Sequence, residues 1–182
     1  MLYTVDSDVS SLIRAENNLG YLLLVQHEPT AATHHLHRAL ALCEQHDTPP
    51  FLRSFILNSV GELHIALGEP DVAVRHLLAS LAQVQGLADR SSEATARHLL
   101  GIACFAIGNH DAGDEWFRSA IELLGRLGIT ERLRACATEY AELLLARGRL
   151  EESIAYWRIA ANASELSMMK SPVEPAGLTS ET

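Results

Sequence analysis

Nine histidines and three cysteines are the side chains of this chain best suited to metal or nucleophilic chemistry. His34, His35 and His37 crowd one segment, and His34 and His37, three residues apart, share a helix face. A metal ion wants a third or fourth ligand held in fixed geometry, usually a Cys or carboxylate, and none lies within a turn of that pair on their face. Solvated helix histidines are therefore expected there, and no metal. His64, His76 and His98 are scattered along the chain and are expected to be structural. Cys43, Cys104 and Cys136 each sit among Ala and Leu, where a free thiol acts as a small buried hydrophobe. No G-x-x-x-x-G-K-[ST], G-x-S-x-G or H-E-x-x-H pattern occurs, so neither an enzyme nor a bound cofactor is expected.

The elements that must hold these residues are helical. Charged residues make up 20% and aromatics 5%, with abundant Ala and Leu, a balance that suits packed helices. The net charge of −9, with no dense basic stripe, argues against direct nucleic-acid binding by this segment. No apolar run is long enough to span a bilayer, so no membrane association is expected. Met1 to Val5 lacks both the basic start and the long apolar core of a secretory leader. With three well-separated cysteines and no C-x-x-C, the expectation is a reduced, cytoplasmic protein.

Small residues recur at one period. Gly20, Gly61, Gly101 and Ala141 are separated by 41, 40 and 40 residues. The same interval relates Ala39, Ser80, Ala120 and Ala160, and also Leu36, Leu77, Phe117 and Trp157. Such a period marks units that must stack to bury their apolar faces. Breakers divide the chain into eight helices in four pairs, over about 8–46, 50–86, 91–128 and 130–164. Ser7 or Asp6 is a candidate N-cap, and Pro29 and Pro50 suit first turns. Gly68, Gly108 and Gly148 fall where each first helix must stop; His27 stands there in the first unit, whose turn is expected to be the least regular. The repeat domain is expected over 1–165, followed by a disordered tail over 166–182 rich in Pro, Gly, Ser and Thr.

These units resemble the tetratricopeptide repeat family. The third carries Leu100-Gly101, Gly108, Gly113, Phe117 and Ala120, similar to the family's Leu-Gly, turn glycine, small residue, aromatic and closing Ala. The others supply Leu19-Gly20, Ala32, Leu36 and Ala39; Val60-Gly61, Gly68, Ala73, Leu77 and Ser80; and Tyr140-Ala141, Gly148, Ser153, Trp157 and Ala160. The family's early aromatic is replaced by Glu16, Leu57, Arg97 and Ala137, and the late proline is missing. The 40-residue spacing exceeds the family's usual ~34. In that respect the chain resembles the sensory regions of bacterial transcription regulators. The resemblance implies an all-α fold, a right-handed α-solenoid of four antiparallel helix pairs.

It also implies a concave groove lined by the first helix of each pair. On the family's pattern that groove would present Asn17, Asn58, His98 and Thr138, then Tyr21, Glu62, Ile102 and Glu142, then Leu24, Ile65, Phe105 and Leu145. The amides could pair with an extended peptide backbone, or simply be solvated. The apolar row could take ligand side chains or serve only as inter-helix packing. Relatives that grip a chaperone tail use Lys and Arg where this chain has Asn17, Tyr21, Ser59, Thr95 and Leu99, so that ligand is not expected. Glu62, Glu139 and Glu142 would favour a neutral or basic one.

Two functions follow from this reading. One is a non-catalytic scaffold binding a protein or peptide segment in the groove, as the sensory or interaction region of a bacterial regulator. The other is a self-assembly module acting through its ends, where Leu2, Tyr3 and Val5, and Ile154, Trp157 and Ile159, would support a homodimer. Trp157 shares the register of Leu36, Leu77 and Phe117 and is expected to be equally buried.

Overall fold

A computed structural model describes residues 7–87 and 90–170 of the chain, and among them there is no strand. The helices are α1 (Ser7–Val25), α2 (Pro29–Gln45), α3 (Pro50–Ala66), α4 (Pro70–Val84), α5 (Ser91–Ala106), α6 (His110–Leu127), α7 (Thr130–Ala146) and α8 (Leu150–Lys170). Pro29, Pro50 and Pro70 each open a helix, where a missing N–H costs nothing because that donor has no partner in the first turn. Ser7 begins α1, and Asp6 lies outside the described residues. The helix α8 runs to Lys170, past the expected end at Ser164, since no glycine or proline interrupts it before Pro172. The rest of the expected tail, 171–182, lies outside the described residues, as do Leu2, Tyr3 and Val5.

Four turns close the helix pairs in one way. Gly68, Gly108 and Gly148 take φ of 75°, 81° and 74°, and His27 takes 61°. In each turn the following amide reaches back five residues, from Glu28 to Leu23 O, Glu69 to His64 O, Asn109 to Cys104 O and Arg149 to Leu144 O, at 2.8–3.0 Å. This is the hydrogen-bond closure of a Schellman turn, which needs a left-handed residue. The first turn is therefore as regular as the others, contrary to expectation, and His27 bears the Cβ strain that glycine avoids.

The helices fall into two compact units, divided after Leu127. In the first, α1/α2, α3/α4 and α5/α6 pack as antiparallel pairs. The close approach within each pair depends on its glycine. A Cβ on Gly20 would stand 2.5 Å from Leu36, on Gly61 2.6 Å from Leu77, and on Gly101 2.6 Å from Phe117. Leu36, Leu77 and Phe117 are fully buried over these glycines, together with Ala39, Ser80 and Ala120. At two of the four positions where the family's early aromatic is replaced, Glu16 and Arg97, polar bridges tie the pair instead. Glu16, almost fully buried, holds His35 at 2.8 Å and Arg38 at 3.0 Å across α1 and α2. Arg97 joins Glu93 on α5 to Ser119 on α6.

In the second unit α7 packs on α8. Tyr140 meets Tyr156 edge-on at 4.5 Å, and Ser153 Oγ donates to the Ala141 carbonyl at 2.8 Å. Trp157, expected to be buried, is 39% exposed. Ala141, fully buried, stands where the other three pairs have Gly20, Gly61 and Gly101.

Two predictions follow. Gly101→Ala should lower stability by about 1–3 kcal/mol through overpacking against Phe117, whereas Gly125→Ala, facing open space on α6, should raise it by about 0.5–1 kcal/mol through helix propensity. Urea denaturation of both variants gives the comparison. His27→Gly should stabilise by about 1 kcal/mol, because it relieves the left-handed strain at an exposed turn.

Candidate functional site

In the first unit, α3 lies beside both α1 and α5. This packing decides which of the expected groove residues are available. Asn17 and Asn58 are 1% and 4% exposed, so they lie beneath the surface rather than on it. Asn58 Nδ2 donates to the Ser92 carbonyl at 3.0 Å, pinning α3 to the start of α5. Asn17 Nδ2 and Oδ1 and Asn58 Oδ1 have no hydrogen-bond partner among the described residues, a costly arrangement for buried amides. Leu24 and Ile65 are half-buried against the apolar core, and Phe105 is buried edge-on to Phe117. That row is packing, apart from Leu145 of the second unit, which is exposed.

Tyr21 is exposed, while Glu62, His98 and Ile102 are half-buried, with His98 against the Phe117 ring at 5.6 Å. Thr138 and Glu142 belong to the second unit, half-buried and exposed respectively. Thr138 borders a recess of about 220 Å3 together with Arg134 and Trp157.

Sequence reasoning passed over two exposed rings of the first unit. Phe51 and Phe55 of α3, one turn apart, are each 43% exposed. With Leu52, Arg14 of α1 and Ser92 of α5 they line a recess of about 180 Å3. The available signal was their i, i+4 spacing three and seven residues before Asn58. It was masked because an apolar pair in a helix reads first as core.

Two of the histidines expected to be scattered, His64 and His76, converge. His64 stacks on His76 at 5.3 Å with the rings 5° from parallel, His37 lies 5.7 Å from His64, and His64 Nδ1 is 2.8 Å from a Glu69 carboxylate oxygen. His37 thus meets His64 rather than acting with His34, whose ring contacts His35. Among the described residues no three His, Cys, Asp or Glu side chains are grouped to hold a metal ion. Burial lowers the pKa of His37, His64 lowers it further, and Glu69 opposes both. Burial likewise lowers that of His76, aided by His64, His37 and Arg75 and opposed by Glu44. Burial pushes the Cys43, Cys104 and Cys136 thiols up, which disfavours the thiolate a nucleophile needs. Glu93 is held below the usual carboxylate range: burial raises it, but Arg90 and Arg97 together outweigh that.

Antiparallel helix pairs repeated at a fixed sequence period, those of the first unit closed over a glycine, define a helix-pair repeat protein. Residues 52–126 match the tetratricopeptide repeat family. Three solved structures share the fold. One is a crystal structure of a variant of nearly identical TPR-like repeats, assigned to a kinesin light chain of Podosopora anserina, with a TM-score of 0.68, 16% identity and 91% of each chain covered. The second is MamA, with a TM-score of 0.58 and 17% identity over 86% of this chain and 81% of that one. The third is BtubC from P. vanneervenii, with a TM-score of 0.57 and 14% identity over 96% of this chain and 87% of that one. At these identities the likeness is one of fold. No curated protein matches the chain. Among the described residues, no helix is long and apolar enough to cross a membrane.

The histidine cluster yields a pH prediction. The folded state depresses the His37 and His76 pKa values below the ordinary value of about 6.5, so in the window between the two the unfolded chain binds more protons. The stability this contributes is present above about pH 6.5 and is lost as pH falls through the lowered folded values. Melting temperature should therefore drop from pH 7 to pH 5, and the drop should be shallower in the His37→Gln/His76→Gln variant.

Proposed function

We propose that this chain is a non-catalytic protein-binding scaffold that takes an extended protein segment across the α1, α3 and α5 face of its first unit. The observation that carries this reading is the pair of exposed rings, Phe51 and Phe55, at the edge of a recess. Aromatic side chains left half in water on a rigid helix are the groups that most often anchor a partner, because they bury large area at small entropic cost. Tyr21 extends this aromatic character along α1, and Glu62 supplies a negative charge on α3. Asn17 and Asn58 support the face from below and do not touch the ligand. A neutral or basic segment with apolar side chains suits this chemistry, and the net charge of −9 would speed its approach.

A role as the sensory region of a bacterial transcription regulator is supported by the 40-residue spacing of the repeats. A cytoplasmic location is supported by the three buried free cysteines.

The test is selection of a displayed random-peptide library on the wild-type chain, followed by affinity measurement on Phe51→Ala/Phe55→Ala. Enriched peptides should lose tenfold or more in affinity for the variant, about 1.4 kcal/mol or greater. Equal binding to both proteins would show that this face is not the site.

A further inference from the structure

The joints between successive pairs in the first unit are built at fixed registers. At the α4/α5 joint, Val74, Leu77 and Leu81 share one apolar cluster with Leu99, Leu100 and Ala103. At the α2/α3 joint, Leu36 and Leu40 cluster with Ile56, Val60 and Leu63. Each joint thus has a second-helix half and a first-helix half.

Both halves recur elsewhere in the chain with no mate among the described residues. Advancing Val74, Leu77 and Leu81 by 80 residues gives Ile154, Trp157 and Ala161 on α8. Ile154 is 43% exposed, and Trp157 and Ala161 are exposed beside it. Stepping Ile56, Val60 and Leu63 back by 41 residues gives Ala15, Leu19 and Leu22 on α1. Every α3 member of that set is fully buried, yet Leu19 and Leu22 are 49% and 52% exposed. None of these six positions on α1 and α8 is charged.

We propose that a second copy of this chain docks head to tail, with α8 of one copy packing on α1 of the next at the registers by which α4 packs on α5. The second copy is the occupant because one chain carries both halves of a single kind of joint. The joint inside the first unit shows how such halves fit. The contact is heterologous, so it propagates into a ring or an open filament rather than stopping at a two-fold dimer. Copies of net charge −9 repel one another, so screening by salt strengthens an uncharged contact of this kind. The inference is independent of peptide binding at Phe51 and Phe55, which the variants below leave intact.

Light scattering and sedimentation of three proteins decide it: the wild-type chain, Leu19→Glu/Leu22→Glu, and Ile154→Glu/Trp157→Glu. The wild type should gain mass with concentration, reaching at least about twice the monomer, and more readily at high salt. Each variant alone should remain monomeric. An equimolar mixture of the two should form a one-to-one dimer, because one variant keeps its α8 face and the other its α1 face. That complementation also proves both variants folded. The milder Leu22→Gln and Ile154→Gln pair, read in the same way, guards against misfolding. A wild type that stays monomeric at every concentration and salt overturns the proposal. So does self-association that persists in either variant, or a mixture that fails to pair while the wild type associates.

Discussion

The close approach of two helices over a residue without a side chain is the constraint on which each pair of the first unit depends. Gly20, Gly61 and Gly101 leave space that Leu36, Leu77 and Phe117 fill completely, and a single Cβ at any of them would intrude on that contact. Once this distance is set, the small residues Ala32, Ala73 and Gly113 fall opposite it, and the closing Ala39, Ser80 and Ala120 are buried behind it. The fourth pair shows the same constraint by exception. Alanine stands at 141, Trp157 is exposed, and Tyr140 packs edge-on against Tyr156.

A pair held this tightly has little tolerance for polar groups inside it, and the chain places them where they bridge helices. Glu16 with His35 and Arg38, and Arg97 with Glu93 and Ser119, occupy places where the family usually has an aromatic. Ser54 and Ser80 exchange a hydrogen bond of 2.7 Å in the core between α3 and α4. The stacked His64 and His76 belong to the same pattern, two imidazoles packed as flat rings between α3 and α4, with burial lowering the His76 pKa.

The surfaces left over divide by helix face. On α3, Phe51 and Phe55 look outward beside Arg14 and Ser92 and suit a partner with apolar side chains. On α1 and α8, uncharged stripes repeat the registers of buried internal joints. A repeat protein produces such stripes as a matter of geometry, since each unit satisfies its faces only through its neighbours. Peptide capture and self-association can therefore coexist in one chain, on separate faces.

The sequence by itself determined the helices, their pairing and the turns. Periodicity and breakers are local, and a glycine at position 68, 108 or 148 admits the left-handed turn without strain. It also determined the residues of closest approach, because Gly20, Gly61 and Gly101 recur in phase with their bulky mates. Only the tertiary structure decided which residues reach the surface. Asn17 and Asn58 read as groove amides on a single helix, but packing of α3 beside α1 and α5 buries them, and Asn58 is used on Ser92. Phe51 and Phe55 are left exposed, and three different helices bring His37 together with His64 and His76, two histidines that read as scattered. Burial depends on what a neighbouring helix covers, and that is set by the distance and angle between helices, which no local pattern encodes.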